Sequence, residues 1–303
     1  MIIKLITLLM LSLTAMHVSA NGNNVRFMVS WSPGGGVDSI TRIIAAEIEN
    51  RSSIKVLVEN RVGANGSIGA THMAKSKLDQ NYFMIEQTTL LLNHWLQKDF
   101  IAYNPLTDMV PIAHIAEQHL VLAVPQNSPF NSYEDLIRSA KENPSKVSFG
   151  HAGTGNISNI IMSMITSRER VSFNEITYKS ALDALKDLAG GHIDATIGNA
   201  TAMFVYSSTG KVKVLSKFSP QGPDNVPLSK VNHKVDLLLF VPTLNANTET
   251  TKTVKKLIVE ILKSEEVRRR IAVTGQTVSS SNEDQIKNTI QSNLDAWKKA
   301  GIY

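Results

Sequence analysis

The chain alternates between short apolar runs and longer segments in which apolar residues recur at helical spacing. Two of the runs, Val25–Ser30 and Leu120–Val124, are typical of buried strands. After the first run, one helical face carries four isoleucines: Ile40, Ile43, Ile44 and Ile48. Alternating strands and helices are typical of α/β proteins with largely parallel sheets, and this is the fold class that the pattern predicts.

The same unit occurs in both halves of the chain: a strand, a loop of glycine or small polar residues, and a helix. Pro125 ends one strand and the pattern then restarts, which predicts two lobes. We assign residues 21–122 and 222–303 to one lobe and residues 123–221 to the other, with an irregular, proline-rich connection over 216–230. Ligands of α/β sheets bind beyond the carboxyl ends of the strands, where these loops lie, so a ligand cleft is expected between the lobes.

The first twenty residues have the pattern of an export signal. Lys4 precedes an apolar stretch over residues 5–16, and Val18-Ser19-Ala20 provides the small residues that signal peptidase recognises. An uncleaved membrane anchor is the alternative, but the stretch is short for a bilayer span and polar residues follow it at once. We therefore expect cleavage after Ala20 and a soluble, periplasmic mature chain.

Composition argues against several classes of function. The 303 residues carry 31 basic and 26 acidic side chains, and 6% are aromatic. A net charge of +5 that is spread along the chain does not predict nucleic-acid binding. The chain has no cysteine, which excludes disulfides, thiol catalysis and cysteine-based zinc sites. The histidines lack metal-binding spacing and no Gly-x-Ser-x-Gly motif occurs, so we expect no metal, no cofactor and no enzymatic activity.

Two glycine-rich segments carry a family resemblance. The first is Trp31-Ser32-Pro33-Gly34-Gly35-Gly36-Val37-Asp38, and the second is VENRVGANGSIGA at residues 58–70. Further matches follow in order at Tyr103-Asn104-Pro105, 149–156, Tyr178-Lys179-Ser180, 188–194, 266–268 and 297–302. In these segments the chain resembles the periplasmic receptors of tripartite tricarboxylate transporters, the TctC or Bug family. Members carry Pro-Gly-Gly-x-x-Asp and Glu-Asn-Arg-x-Gly-Ala-x-Gly-x-Ile-Gly at this separation.

The resemblance implies the two-lobed Venus-flytrap fold of type II periplasmic binding proteins, with a ligand cleft between the lobes and two crossing strands as hinges. It implies that a small organic carboxylate or amino acid is held largely by backbone N–H groups and water. It also implies that a monomeric receptor delivers this ligand to the subunits of a membrane permease. The alternative is a sensory protein of the same fold that presents its closed form to a membrane histidine kinase.

The candidate ligand contacts lie in loops at the ends of predicted strands. A glycine-rich loop that precedes a helix can bind an anion without a cationic side chain, because helix N–H groups and the helix dipole point at it. The candidates are Ser32, Gly34, Gly35, Gly36, Val37, Asp38, Gln87, Thr88, Thr89, His151, Gly153, Thr154, Gly155, Asn156, Tyr178 and Asn199. Asp38 is also predicted to cap the helix that follows it. For Gly63–Gly69, a structural role and a ligand-binding role are equally compatible with the sequence.

Four positions depart from the family pattern. His151 stands where serine is usual, Gln87 where glycine is usual, and Gly198 where aspartate is common, while Val37 lies at a variable position. A protonated His151 would bind a carboxylate through a charge-assisted hydrogen bond, and the alternative is a surface imidazole. A hydrolase that uses His151 with Ser158 is a further alternative, but no orienting acid can be argued from the spacing.

Overall fold

The computed structural model of the protein describes residues 24–78, 81–99, 101–218, 234–279, 281–299 and 303. The predicted signal peptide lies outside these residues. Most of the predicted irregular connection over 216–230 also lies outside them, as does the predicted division between the lobes at residues 221 and 222. Within the described residues, the alternation of strands and helices that the sequence predicts is confirmed.

The described residues form ten strands and ten α-helices. The strands are β1 (Asn24–Val29), β2 (Lys55–Asn60), β3 (Tyr82–Gln87), β4 (Met109–Pro125), β5 (Ser148–His151), β6 (Asn174–Thr177), β7 (Ala195–Asn199), β8 (Val212–Phe218), β9 (Lys234–Pro242) and β10 (Gln276–Val278). The helices are α1 (Gly36–Arg51), α2 (Ser67–Ala74), α3 (Asn93–Leu96), α4 (Tyr133–Glu142), α5 (Ile157–Glu169), α6 (Ala181–Ala189), α7 (Ala200–Ser208), α8 (Glu249–Ile261), α9 (Glu265–Val273) and α10 (Glu283–Lys299). Short 3₁₀ turns cover Ala64–Gly66, Thr88–Leu92 and Thr243–Asn245.

The strands form two sheets that share β4. In the first sheet the order is β2-β1-β3-β9-β4, and β10 is also paired to β4. In the second sheet β4 pairs with both β8 and β7, and the order continues from β7 to β5 and β6. Strands β2, β1 and β3 are parallel, as are β7, β5 and β6. The expectation of largely parallel sheets is wrong for the middle of the molecule, where β4 pairs antiparallel with β7, β8, β9 and β10. Strand β4 runs from one sheet into the other, and the strands beside it run in the opposite direction, so these pairings are antiparallel.

Strand β4 joins the two halves. Its residues Met109–His119 pair with β9, and its residues Leu120–Pro125 pair with β8. The change of partner between His119 and Leu120 comes shortly before the division that the sequence predicts at residue 122. We call the first sheet with its helices lobe 1 and the second sheet with its helices lobe 2.

Each lobe has its own apolar core. In lobe 1, Ile40, Ile44 and Ile48 of α1 are fully buried and belong to one cluster with Phe27 and Phe83, whose rings stack at 5.5 Å. In lobe 2, the buried face of α5 packs into a cluster with β5 and β7. Burying an isoleucine side chain contributes roughly 1.5–3 kcal/mol, so these helical faces fix both helices on their sheets. Among the described residues, none of the helices combines the length and apolarity that a bilayer crossing requires.

Candidate functional site

A cavity of about 350 Å³ lies between the lobes, where the ends of their strands meet. Lobe 1 contributes the β1–α1 loop, the end of β3 and the end of α9. Lobe 2 contributes the first residues of α5 and α6, the end of β7, and α7, while Gln118 and Leu120 of β4 form the floor between them. Residues of both lobes therefore line one cavity beside β4, the strand that connects the lobes.

The first turn of α1 faces this cavity with free donors. Gly35 is the N-cap of α1, and no side chain caps this helix end. The first helical hydrogen bond runs from the Ser39 N–H to the Gly35 carbonyl, at 2.9 Å. The N–H groups of Gly36 and Val37 precede that bond and have no acceptor within the helix. This helix end therefore offers an anion both backbone donors and the positive end of the helix dipole.

Asp38 does not line the cavity, and its carboxylate stabilises the β1–α1 loop through hydrogen bonds. The prediction that it is the N-cap is wrong, because it lies within the first turn and Gly35 occupies the cap position. Its Oδ2 accepts hydrogen bonds from the Gly34 N–H and from Arg42 Nε, both at 2.9 Å, and its Oδ1 accepts one from Asn60 Nδ2 at 2.8 Å. Burial raises the pKa of Asp38, but the hydrogen bonds from Arg42, Asn60 and Gly34 together hold it below its usual value. The carboxylate is thus ionised and neutralised by Arg42.

Two side-chain amides from different parts of the chain converge on Gly36. A Cβ placed on Gly36 would lie 2.6 Å from Gln276 Nε2 and 3.3 Å from Asn199 Nδ2. Gln276 belongs to β10 of lobe 1 and is 1% exposed, and its Oε1 accepts a hydrogen bond from Thr274 Oγ1 at 2.9 Å. Its Nε2 has no hydrogen-bond partner among the described residues. Glycine at position 36 therefore allows the buried Gln276 amide to approach the backbone more closely than a Cβ would permit, and Gln276 itself does not line the cavity.

A buried carboxyl group lies directly behind the lobe 1 wall. Glu86 precedes Gln87 at the end of β3, and its Oε1 accepts hydrogen bonds from Trp31 Nε1 at 2.6 Å and from the Gln87 N–H at 2.7 Å. Burial raises the pKa of Glu86 to about 7, and these donors only partly offset that effect. Trp31 and Gln87 both line the cavity. The protonation of Glu86 is therefore coupled to two residues of the site.

The lobe 2 wall is mainly apolar. Its apolar members are Ile157, Leu182, Leu185, Ile197, Met203, Val205 and Tyr206. The three helix ends at this wall carry side-chain caps: Asn156 on α5, Ser180 on α6 and Asn199 on α7 each accept a backbone N–H of the first turn. Among the described residues that line the cavity, none is a lysine, arginine, histidine, aspartate or glutamate. Polar recognition is therefore concentrated on lobe 1.

Half of the candidate ligand contacts from the sequence line the cavity. These are Ser32, Gly34, Gly35, Gly36, Val37, Gln87, Asn156 and Asn199. The other candidates lie outside it: Asp38, Thr88, Thr89, His151, Gly153, Thr154, Gly155 and Tyr178. Thr88 and Thr89 are buried beside it, where Thr88 Oγ1 accepts from Asn293 Nδ2 and Thr89 Oγ1 donates to Gln87 Oε1.

His151 is buried and does not line the cavity, so the alternative of a surface imidazole is wrong. It is 2% exposed, its Nδ1 accepts a hydrogen bond from the Gly153 N–H at 3.2 Å, and its Nε2 lies 3.4 Å from Glu175 Oε2. Ser158 Oγ instead donates to Asn156 Oδ1 at 2.7 Å. The histidine and serine of the hydrolase alternative are therefore each engaged with other residues.

The loop after β5 contacts lobe 1 instead of the cavity. A Cβ on Gly155 would lie 2.8 Å from Leu96 Cδ1 of lobe 1, and Thr154 is exposed. Nearby, Leu92, Leu96 and Trp297 of lobe 1 form an apolar cluster with Ile160 and Met164 of α5. Tyr178 faces away, because its hydroxyl donates to Asp187 Oδ2 at 2.8 Å. This side of the molecule holds the lobes together beside the cavity.

The second glycine-rich segment has a structural role. Gly63 and Gly66 have φ values of +134° and +86°, which residues with a Cβ rarely adopt, and the segment does not line the cavity.

Beyond the cleft, His114, Glu117 and Asp236 bring potential metal-ligand atoms within 4.8 Å of one another on β4 and β9. His114 Nε2 lies 3.2 Å from Asp236 Oδ1, so two of the three side chains already contact each other directly.

Sequence reasoning missed Gln276, which lies behind the β1–α1 loop and contacts Gly36. It follows α9, is far from the glycine loops in the sequence and belongs to no motif, so only the pairing of β10 with β4 brings it to Gly36. The apolar lobe 2 wall was also missed, because its residues have the same spacing as ordinary core residues of α6 and α7.

Comparisons with known proteins agree with this architecture. A sequence model of the family described as "Tripartite tricarboxylate transporter family receptor" matches residues 40–299. A protein from the tcbD-tcbE intergenic region of Pseudomonas sp. (strain P51) is 30% identical over 204 residues, which are 66% of this chain and 60% of that relative's length. Protein BugT of Bordetella pertussis is 27% identical over 287 residues, covering 92% of this chain and 87% of BugT.

The fold also matches solved structures. An R. palustris protein with adipate aligns with a TM-score of 0.82 at 22% identity, over 92% of this chain and 96% of that chain. This likeness confirms the predicted fold of periplasmic binding proteins. The family match extends over most of the described residues; it begins at Ile40, after the β1–α1 loop, and includes the lobe 2 wall of the cavity. The chain therefore belongs to the tripartite tricarboxylate transporter receptor family.

Proposed function

We propose that this protein is an extracytoplasmic receptor that captures a small organic carboxylate in the cleft between its lobes. The observation that carries the proposal is the first turn of α1, where Gly36 and Val37 line the cavity and no side chain caps the helix. Buried donors without acceptors are rare in folded proteins, and an anionic oxygen from a ligand would satisfy them. A relative by fold was solved with adipate, which supports a carboxylate ligand.

Capture works by closure of the two lobes about β4. Lobe 1 contributes Gly36 and Gln87 to the cavity and lobe 2 contributes Ser180 and Leu182, so a ligand that contacts both lobes binds better when the lobes are close. A ligand shifts such an equilibrium only by its difference in affinity for the two states. The contacts to both lobes supply that difference, and hinge motion at β4 supplies the movement.

Delivery to a tripartite tricarboxylate-type permease is the proposed next step. The family to which the chain belongs comprises receptors of these transporters, which supports a permease as the partner. The pattern of residues 1–20 supports export across the inner membrane, with removal of the signal after Ala20. Family and fold are those of substrate-binding receptors, and no step of this function requires catalysis.

Thermal unfolding of residues 21–303 with a panel of carboxylates, amino acids and neutral analogues tests the proposal. A ligand at one hundred times its Kd adds about 2.7 kcal/mol to the free energy of unfolding, which raises Tm by several degrees. We expect a shift with carboxylates and none with the matching amides. A folded protein that shows no shift with any carboxylate would contradict the proposal.

A further inference from the structure

We infer that His114, Glu117 and Asp236 form a binding site for a divalent transition-metal ion, and that zinc is the ion they suit best. The three side chains bring one imidazole nitrogen and two carboxylate oxygens within 4.8 Å of one another on β4 and β9. Zinc binds imidazole together with carboxylate oxygens, whereas Ca²⁺ and Mg²⁺ prefer oxygen ligands alone. The inference does not depend on the proposed function.

An irregularity in β4 places His114 and Glu117 on the same face of the sheet. Residues three positions apart in a regular strand point to opposite faces. The register of β4 against β9 shifts between His114 and Ala116, and an extra residue in one strand returns the two side chains to one face. Glu117 then lies directly opposite Asp236 on β9. The sequence predicts no metal because these ligands come from two strands, and spacing along the chain does not reveal them.

The inner nitrogen of His114 contacts Asp236 without a hydrogen bond. His114 is 5% exposed, and its Nε2 lies 3.2 Å from Asp236 Oδ1 but makes no hydrogen bond among the described residues. Buried polar atoms that lack a hydrogen bond are rare in folded proteins. Ligand atoms at about 2.0–2.1 Å from a tetrahedral ion are roughly 3.3 Å apart, and their lone pairs point at the ion and not at each other. The contact therefore has the geometry of two ligands of one ion.

The charges at this point of the sheet also favour a cation. Asp236 is 3% exposed, and the half-buried Glu117 faces it from the neighbouring strand. Like charges that lie directly opposite each other on adjacent strands destabilise a sheet. A divalent cation balances both carboxylates. Because Glu117 is only half-buried, an ion can reach the site from solvent.

Two further residues orient the ligands from outside. Ser281 Oγ lies 3.0 Å from His114 Nδ1, and Asn293 Nδ2 donates a hydrogen bond to Asp236 Oδ2 at 3.1 Å. Metal-binding histidines and carboxylates make such second hydrogen bonds, which fix the orientation of the ring and of the carboxylate. These bonds use Nδ1 and Oδ2, and the ion would bind the other two atoms, Nε2 and Oδ1.

The site lies where β9 passes between the lobes, on the face of β4 that is turned away from the ligand cavity. Val235 packs in the core of lobe 2 and Leu237 in the core of lobe 1, so Asp236 lies between the two cores. Gln118 lines the cavity, and its neighbour Glu117 points to the opposite face of the strand. A bound ion therefore crosslinks β4 and β9 behind the floor of the cavity and stabilises the folded protein.

Calorimetric titration of Zn²⁺ into the mature chain, residues 21–303, tests the inference. The protein carries no histidine tag and is first freed of metal with a chelator. We expect one ion per chain with a Kd below about 10 μM, and a Kd for Mg²⁺ and for Ca²⁺ that is higher by roughly a hundredfold or more. At one hundred times its Kd, zinc should raise Tm by several degrees. Weaker zinc binding, or Ca²⁺ or Mg²⁺ bound as tightly as zinc, would overturn the inference.

Conservative variants assign the ion to these side chains. His114→Asn removes Nε2, and Asp236→Asn removes the charge of the carboxylate with little change of shape, so each should raise the Kd for zinc by at least roughly tenfold. His192→Asn and Asp284→Asn make the same two changes at exposed positions and should leave the Kd within about twofold of the wild type. Zinc affinity that is unchanged in the folded His114 and Asp236 variants would show binding at the surface only.

The wild type provides a second test if a variant does not fold by circular dichroism. Anomalous diffraction at the zinc absorption edge, from wild-type crystals grown with zinc, locates the ion without any substitution. We expect the ion within coordination distance of His114 Nε2 and Asp236 Oδ1. Zinc found only at other positions would overturn the inference.

Discussion

The buried Glu86 makes the stability of lobe 1 depend on pH, and Glu86→Gln should remove this dependence. Burial raises its pKa from 4.5 to about 7 in the folded protein. The folded state thus binds the proton more tightly than the unfolded state does. Its contribution to stability is complete below pH 4.5, declines as the pH rises towards 7, and is lost above that value.

The magnitude follows from the difference between the two pKa values. A tenfold change in proton affinity is worth about 1.4 kcal/mol, so a rise from 4.5 to about 7 corresponds to a change on the order of 3 kcal/mol. Glutamine has nearly the same shape and does not ionise. Its Oε1 can accept the hydrogen bonds that Trp31 Nε1 and the Gln87 N–H donate to the carboxylate. The substitution therefore removes the charge and retains those two contacts.

Urea unfolding of the wild type and Glu86→Gln between pH 4.5 and 8.5 measures the effect. The three tryptophans, Trp31, Trp95 and Trp297, all belong to lobe 1, so their fluorescence reports the lobe that contains Glu86. We expect the variant to gain on the order of 3 kcal/mol relative to the wild type as the pH rises through this range. Contributions of other titrating groups cancel in the difference.

An exposed glutamate provides the matched control. Glu142 lies at the exposed end of α4, and Glu142→Gln makes the same chemical change on the surface of the protein. If Glu86→Gln differs from the wild type by a constant amount, within about 0.5 kcal/mol, the carboxyl group does not titrate between 4.5 and 7. The assignment of a protonated Glu86 behind the ligand wall would then be wrong.

Two further predictions concern residues that contact Glu86. Trp31→Phe removes the N–H that donates to Glu86 Oε1. It should lower the free energy of unfolding by about 1.5–3 kcal/mol above pH 7, where the carboxylate is charged, and by less at pH 5. Equal losses at the two pH values in urea titrations would contradict this. Gly66→Ala should lower the free energy of unfolding by about 1–2 kcal/mol because φ at this position is +86°. Calorimetry should show unchanged carboxylate affinity. Weaker binding with intact stability would instead assign Gly63–Gly69 to the site.

Local signals in the sequence predicted much of what was found locally. Ser132 caps α4 by accepting the Asp135 N–H at 3.1 Å, as its spacing predicts, and the isoleucines of α1 bury one face. These features depend on residues three or four positions apart, so a short window of sequence contains the interacting groups. The same reasoning failed for Asp38, where Gly35 occupies the cap and the carboxylate instead binds Gly34, Arg42 and Asn60.

The candidate site was predictable in part for the same reason. The β1–α1 loop lines the cavity because a glycine-rich turn between a strand and a helix must lie at the end of the sheet. His151 occupies the equivalent loop of lobe 2 but is buried beside Glu175. Glu175 belongs to β6, which pairs with the strand that ends at His151, and no pattern within the loop contains that information.

The sequence by itself determined the α/β alternation, the family and the glycine loop at the start of α1, because each depends on residues that are close in the chain. Only the tertiary structure decided that β4 pairs in both sheets and that Gln276 and Asn199 meet at Gly36. It also decided that core-like residues of α6 and α7 form one wall of the cavity. The positions of these groups depend on strand pairings between residues far apart in the chain, as between Leu120 and Asn199 or between His119 and Lys234.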